Sequence, residues 1–196
     1  MFELNPISAI QTLWIAWFIS WWVAATWSDP SVKKPASARE RPYRILVLIG
    51  ILLLAGLYPH KFASEWILWR AGWTLGWSMV AAAAVGFCFM WWARIALGKL
   101  WSANVRIKAE HRVIDTGPYA LVRHPIYTGI ILAGFATAVI RGTVVGLLGA
   151  TLMTVSWYIK AKAEERFLRE ELGHEAYDAY ARRVPMLMPF LRWNKS

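Results

Sequence analysis

Cysteine is almost absent from this chain: Cys88 is the only one in 196 residues. An intrachain disulfide, a cysteine-ligated zinc site and a CxxC redox couple are therefore excluded. Histidine is scarce as well, and His60, His111, His124 and His174 show no metal-ligand spacing. No GxGxxG loop marks a dinucleotide site, although a membrane-specific pocket could do without one. Charged residues are only 17% of the chain and sit in blocks instead of covering a surface, which argues against a soluble domain. Acidic residues number 12 against 22 lysines and arginines. The resulting charge of +10 gives little support to nucleic-acid binding, which needs a soluble basic face and a reader element.

What the chain has instead is apolar length. Hydrophobic residues make up 58%, 14 residues are tryptophan, and the mean hydropathy is +0.37, values of a membrane protein. A helix crosses the hydrocarbon core with about 20 mostly apolar residues, and roughly 17 to 25 are tolerated. Such runs cover residues 6 to 27, 44 to 59, 71 to 93, 125 to 140 and 142 to 161, the second and fourth being short. The expectation is an all-α integral membrane protein with five transmembrane helices in a single domain, 1–196, whose three-span portion is 1–93 and whose remainder is 94–196. Glu3 and the missing basic leader make the first run a retained span and not a signal peptide. Arg141-Gly142 leaves almost no loop, so the last two runs form a tight antiparallel hairpin. Cys88, within FCFMWW, is expected to pack as a small hydrophobe.

Basic residues stay on the cytoplasmic side of a membrane. All but Lys61, Arg70 and Arg141 of the 22 fall in the first connection, the third connection or the C-terminal part. This predicts an outside N-terminus, a cytoplasmic C-terminus and contact with anionic membrane lipids. Trp66, Trp69, Trp73 and Trp77 then lie beside the outer second connection, as headgroup anchors should. Gly72 and Gly76 form a small-xxx-small pair that permits close helix packing.

Two polar blocks, 98 to 129 and 160 to 190, face the cytoplasm in this frame. The first holds LGKLWSANV and then GPYALVRHPIYTG, where a turn runs directly into an apolar helix. Pro125 fits a first helical turn, which puts Arg123 and His124 at a helix mouth able to hold an anion. Arg123 has a planar fork suited to a carboxylate. His124 alone could be a helix-end residue making a local bond, and Tyr119 and Tyr127 could be interface anchors. The second block, AKAEERFLREELGHEAYDAYARRVP, brings Glu164 and Glu165 to the inner interface, where an unpaired carboxylate is costly. One reading is a solvated helix; the other has one acid binding hydroxyls or a cationic group while its neighbour meets Arg123. Glu165 and Arg169 are spaced to attract, Glu171 and Glu175 to repel. Phe167, Leu168, Leu172, Ala176, Tyr177 and Tyr180 suggest an apolar helical face interrupted at Gly173. Val184-Pro185 turns the chain after Arg182 and Arg183, which either remain surface charges or face the first block.

LGKLWS, GPYALVRHPIYTG, AEERFL and GHEAYDAYARRVP together resemble the isoprenylcysteine carboxyl methyltransferase family, including its bacterial and archaeal membrane homologues, and more distantly the phospholipid N-methyltransferases. The resemblance covers residues 98 to 190. It implies S-adenosylmethionine as cofactor, a cytoplasmic cofactor site built by loop and C-terminal helical segments, a bacterial or archaeal plasma membrane and an amphiphilic or lipidated, carboxylate-bearing substrate. It also implies that Tyr119, Arg123, His124, Tyr127, Glu164, Glu165 and Tyr180 contribute to the cofactor wall. Arg123 and Arg183 are implied to orient the substrate carboxylate, Glu165 to take part in catalysis, and no metal to be needed. Amine methylation of a phospholipid, a nicotinamide-dependent membrane reductase and a partner-binding membrane protein are the alternative functions.

Overall fold

The computed structural model describes residues 5–26, 41–58, 66–98 and 114–190. Lys33, Lys34, Arg39, His60, Lys61, Lys99, Arg106, Lys108, His111, Arg112, Arg192 and Lys195, and nearly all of LGKLWSANV, lie outside them. Among the described residues the chain is all helical: α1 (Pro6–Ala25), α2 (Arg41–Ala55), α3 (Trp73–Leu97), α4 (Pro118–Leu121), α5 (Pro125–Arg141), α6 (Val144–Leu172) and α7 (His174–Arg183). Three of these, α1, α3 and α6, are long and apolar enough to cross a membrane; α2 and α5 are apolar but shorter.

Local chemistry sets the ends. Asn5 caps α1 by accepting from the Ser8 N–H at 2.9 Å. α2 stops at Ala55, earlier than the expected 59, because Gly56 turns the chain at φ +82°. The α5–α6 hairpin is as tight as expected: Gly142 closes α5 in the left-handed region and the Thr143 hydroxyl caps α6. Residues 66–69 lie across this hairpin. Leu68 N–H donates to Gly142 O at 2.7 Å, Val144 N–H to Trp66 O at 3.0 Å, and Trp69 Nε1 to Val139 O at 2.9 Å.

In the core, α3 lies on α5 and α2 on α6. Gly86 and Gly129 make the first approach possible, since a Cβ on Gly129 would stand 2.4 Å from Gly86 O. The expected Gly72/Gly76 pair is only half correct. Gly76 abuts Pro6, but Gly72 is the α3 N-cap and faces open space. Trp14, Trp17 and Trp21 of α1 pack ring to ring, mostly edge-on, against one another and against Phe87 and Trp91 of α3, and Trp14 Nε1 donates to the Thr137 hydroxyl.

Further expectations are corrected. Cys88 is exposed on α3, because the glycine and alanine face of that helix takes the buried side. Arg94, expected in a connecting loop, is the last-turn residue of α3; it is 1% exposed and donates to Ala24 O and Gly98 O. Gly173, at φ +91°, does break the C-terminal helix, so Glu171 and Glu175 share no helical face and Ala176 is exposed. Only Tyr177, Tyr180 and Val184, with Leu168 and Ala181 against them, form the small apolar cluster there.

Candidate active site

His124 is the N-cap of α5 and Pro125 its first residue, so the helix mouth forms as the proline predicts. The chain's own C-terminal segment lies along that mouth. Arg123 and His124 N–H groups donate to Pro185 O at 2.9 Å and Met186 O at 3.1 Å, and the Thr128 hydroxyl donates to Leu187 O at 2.6 Å. The anion held at the mouth is also internal: Arg123 Nε donates to Glu165 Oε1 at 2.7 Å, and His124 Nε2 stands 3.2 Å from the same oxygen. An ionised carboxylate only accepts, so that ring nitrogen carries the hydrogen. Glu165, with 2% of its side chain exposed, is also 3.7 Å from Arg169 on the next turn of α6.

Glu164 is the more open acid, with 18% side-chain exposure. It accepts from the Tyr127 hydroxyl at 2.6 Å and lies 3.6 Å from His124 Nδ1. His124 therefore spans the two acids. Its ring stacks on Tyr127 at 5.4 Å, and Tyr127 stacks in turn on Trp157 at 4.8 Å. Lys160 closes the row, 3.9 Å from Glu164 Oε1 and over both the Tyr127 and Trp157 rings.

α7 completes one wall. Arg123 Nη1 donates to Ala181 O at 3.0 Å and Val184 O at 2.5 Å, tying the end of α7 to α6 through Glu165. The Tyr180 hydroxyl donates to Tyr119 O at 2.8 Å. Burial raises the phenol pKa of Tyr119, Tyr177 and Tyr180. Arg169 bonds Asp178 at 2.6 Å and covers the Tyr177 ring. The Arg169 bond holds the Asp178 carboxyl below its ordinary range.

Seven of the eight predicted residues thus form one connected group: Arg123, His124, Tyr127, Glu164 and Glu165 at its centre, and Tyr119 and Tyr180 beside it. Arg183 is apart, two-thirds exposed and paired with Asp115 at 3.1 Å. It does face the first polar block, as one reading of the sequence had it. Sequence reasoning missed Trp157 and Lys160, which precede Glu164 by seven and four positions and so share its helical face, and gave Arg169 only a weak pairing role. Among the described residues, no cluster of histidine, cysteine and carboxylate side chains could hold a metal.

Residues 79–170, which contribute the α4, α5 and α6 parts of this group, match the isoprenylcysteine carboxyl methyltransferase family. This match supports placing the chain in that family. A probable protein-S-isoprenylcysteine O-methyltransferase of Oryza sativa subsp. indica is 32% identical over 102 residues, 50% of this chain and 53% of that protein. A methanethiol S-methyltransferase of Pseudomonas sp. strain GM41 is 30% identical over 170 residues, 79% of this chain and 61% of its own length. A second methanethiol S-methyltransferase, from Bradyrhizobium diazoefficiens, is 42% identical over 74 residues, 38% of this chain and 25% of its own. The chain thus spans little more than half the length of the first two relatives. Within the matched segment, the RHPIY and EE elements are the ones that meet across α5 and α6.

Proposed function

We propose that this chain transfers a methyl group from S-adenosylmethionine to an amphiphile carrying a carboxylate, at the cytoplasmic face of a membrane. The observation that carries this reading is the junction of Arg123, His124 and Tyr127 with Glu164 and Glu165 at the inner end of α6. S-adenosylmethionine supplies a methyl group made electrophilic by its positively charged sulfur. The donor set suits it: Glu164 offers a partly open carboxylate to a cationic or hydroxyl group, and the His124 and Tyr127 rings offer flat faces. Glu165 is enclosed and serves to fix Arg123 and His124.

The residues divide into two roles. Arg123 is a positioning residue, since its Nε and Nη1 are committed to Glu165 and the end of α7. Arg183 keeps an accessible guanidinium and is the arginine able to draw a substrate carboxylate toward the site. A carboxylate acceptor is ionised at neutral pH and needs no base. The rate then comes from holding oxygen, methyl carbon and sulfur in line and excluding water. Tyr180 and Tyr119, hydrogen-bonded to each other, hold α7 and α4 together as the wall that does so.

The methanethiol S-methyltransferases among the relatives favour a second reading, a thiol acceptor. A thiol has an ordinary pKa near 8.5 and must lose its proton as the C–S bond forms, and Glu164 is the acid placed to take it. Membranes containing the chain, given methyl-labelled S-adenosylmethionine, should release label into a base-labile ester in the lipid phase. Label in a volatile thioether favours the thiol instead. If purified protein keeps its helical circular dichroism but calorimetry finds no S-adenosylmethionine binding, both readings fail.

A further inference from the structure

Lys160 lies one helical turn before Glu164, with 10% of its side chain exposed. Its Nζ is 5.2 Å from the Tyr127 ring centroid and 5.1 Å from that of Trp157. Those rings stack at 4.8 Å, and Glu164 Oε1, which holds the Tyr127 hydroxyl at 2.6 Å, is 3.9 Å from the same Nζ. Two ring faces and a carboxylate attract positive charge by quadrupole and by Coulomb energy together. Such a lining suits an alkylated cation, whose charge is diffuse and poorly hydrated. A lysine ammonium is compact and strongly hydrated, so it is the weaker tenant.

We propose that Tyr127, Trp157 and Glu164 form a binding site for an alkylated onium group, and that the Lys160 ammonium fills it until the sulfonium of the methyl donor takes its place. The inference takes the donor from the function proposed above. Lys160 has a flexible four-carbon stem, so it can withdraw without movement of α6. Methyl transfer moves the carbon to the acceptor and leaves the sulfur with its electron pair as a neutral thioether. The rings and Glu164 then hold the product less well than they hold Lys160. Return of the ammonium expels the spent cofactor, giving the lysine a part in product release.

The test measures affinity, not turnover. Full-length protein in detergent is dialysed to equilibrium with labelled S-adenosylmethionine or S-adenosylhomocysteine, and trimethylsulfonium binding is followed by saturation-transfer NMR. Lys160→Met should bind S-adenosylmethionine about five- to tenfold tighter than the unaltered chain, in keeping with the strength of desolvated cation–ring contacts. Its affinity for S-adenosylhomocysteine should change less than about twofold, and its trimethylsulfonium signal should rise. Lys160→Arg, which keeps the charge, should resemble the unaltered chain, and Lys160→Gln provides a second neutral variant should the methionine protein fold poorly. Equal shifts for the charged and neutral ligands, or weaker S-adenosylmethionine binding in both neutral variants, overturn the inference. If trimethylsulfonium binding rises in Lys160→Met but no protein binds S-adenosylmethionine, the onium site stands and the methyltransferase reading falls.

Discussion

Glu165 receives Arg123 and His124 at one oxygen and has Arg169 near the other, all with 2% of its side chain exposed. Removing its charge leaves an enclosed guanidinium without its counter-ion, a change that costs about 3–5 kcal/mol in buried pairs. Glu165→Gln should therefore lower the detergent melting temperature markedly. Glu164→Gln, at the more open acid, should leave melting nearly unchanged and weaken S-adenosylmethionine binding at least about tenfold, the loss of one charge-assisted hydrogen bond; calorimetry beside a thermal melt separates the two. Tyrosines supply a pH test. Burial raises the folded-state pKa of Tyr177 and Tyr180 above the ordinary value near 10. Their stabilising contribution is complete below that value and is lost as pH climbs through the raised folded-state values. Absorbance titration should thus show part of the phenol signal delayed beyond pH 10 and released together with loss of helical signal. Equal titration of all seven tyrosines at ordinary pH would contradict the packing of α7.

At the scale of elements, the α3–α5 contact rests on a glycine meeting backbone. Gly129→Ala puts a methyl 2.4 Å from Gly86 O, a backbone atom that cannot swing aside, and 2.4 Å from Met90 Cγ; overpacking of this sort costs about 1–3 kcal/mol. Gly72→Ser has open space and adds a capping hydroxyl, so it should be neutral or stabilising. A melting comparison of the two variants decides between close packing at Gly129 and the small-residue pattern at 72 and 76. That contrast also marks what the sequence could tell. The helix start at Pro125 and the break at Gly173 were legible, because single residues dictate them. Glycine partners 43 positions apart in the chain were not, because proximity depends on how α3 and α5 cross. RHPIY and EE could be linked as acid and base, but which acid meets Arg123 depends on the rotation of α6. Trp157 and Lys160 passed for a span residue and a topology charge, since only that rotation aims them at Tyr127.

For the whole molecule, the charge bias predicts an orientation that labelling can check. With Cys88 replaced by serine, a cysteine at Glu170 should react with an impermeant maleimide only from the cytoplasmic side, and one at Arg70 only from outside. Reaction of both from one side would refute the arrangement. α6 connects these two surfaces as an unbroken helix of 29 residues, about 43 Å at 1.5 Å per residue. From Val144, that rise reaches Glu164 after about 30 Å, the thickness of the hydrocarbon core. The helix is therefore a gauge: the hairpin clasped by residues 66–69 sets its zero, and the acids read off the depth of the opposite surface. One alanine added after Ser156 should turn Glu164 and Glu165 by about 100° away from Tyr127 and Arg123. Adding four nearly restores their facing but lowers them by about 6 Å, out of register with the mouth of α5. A bilayer much thicker than the gauge would draw the acids toward lipid, so membrane thickness itself becomes a variable on which the site depends.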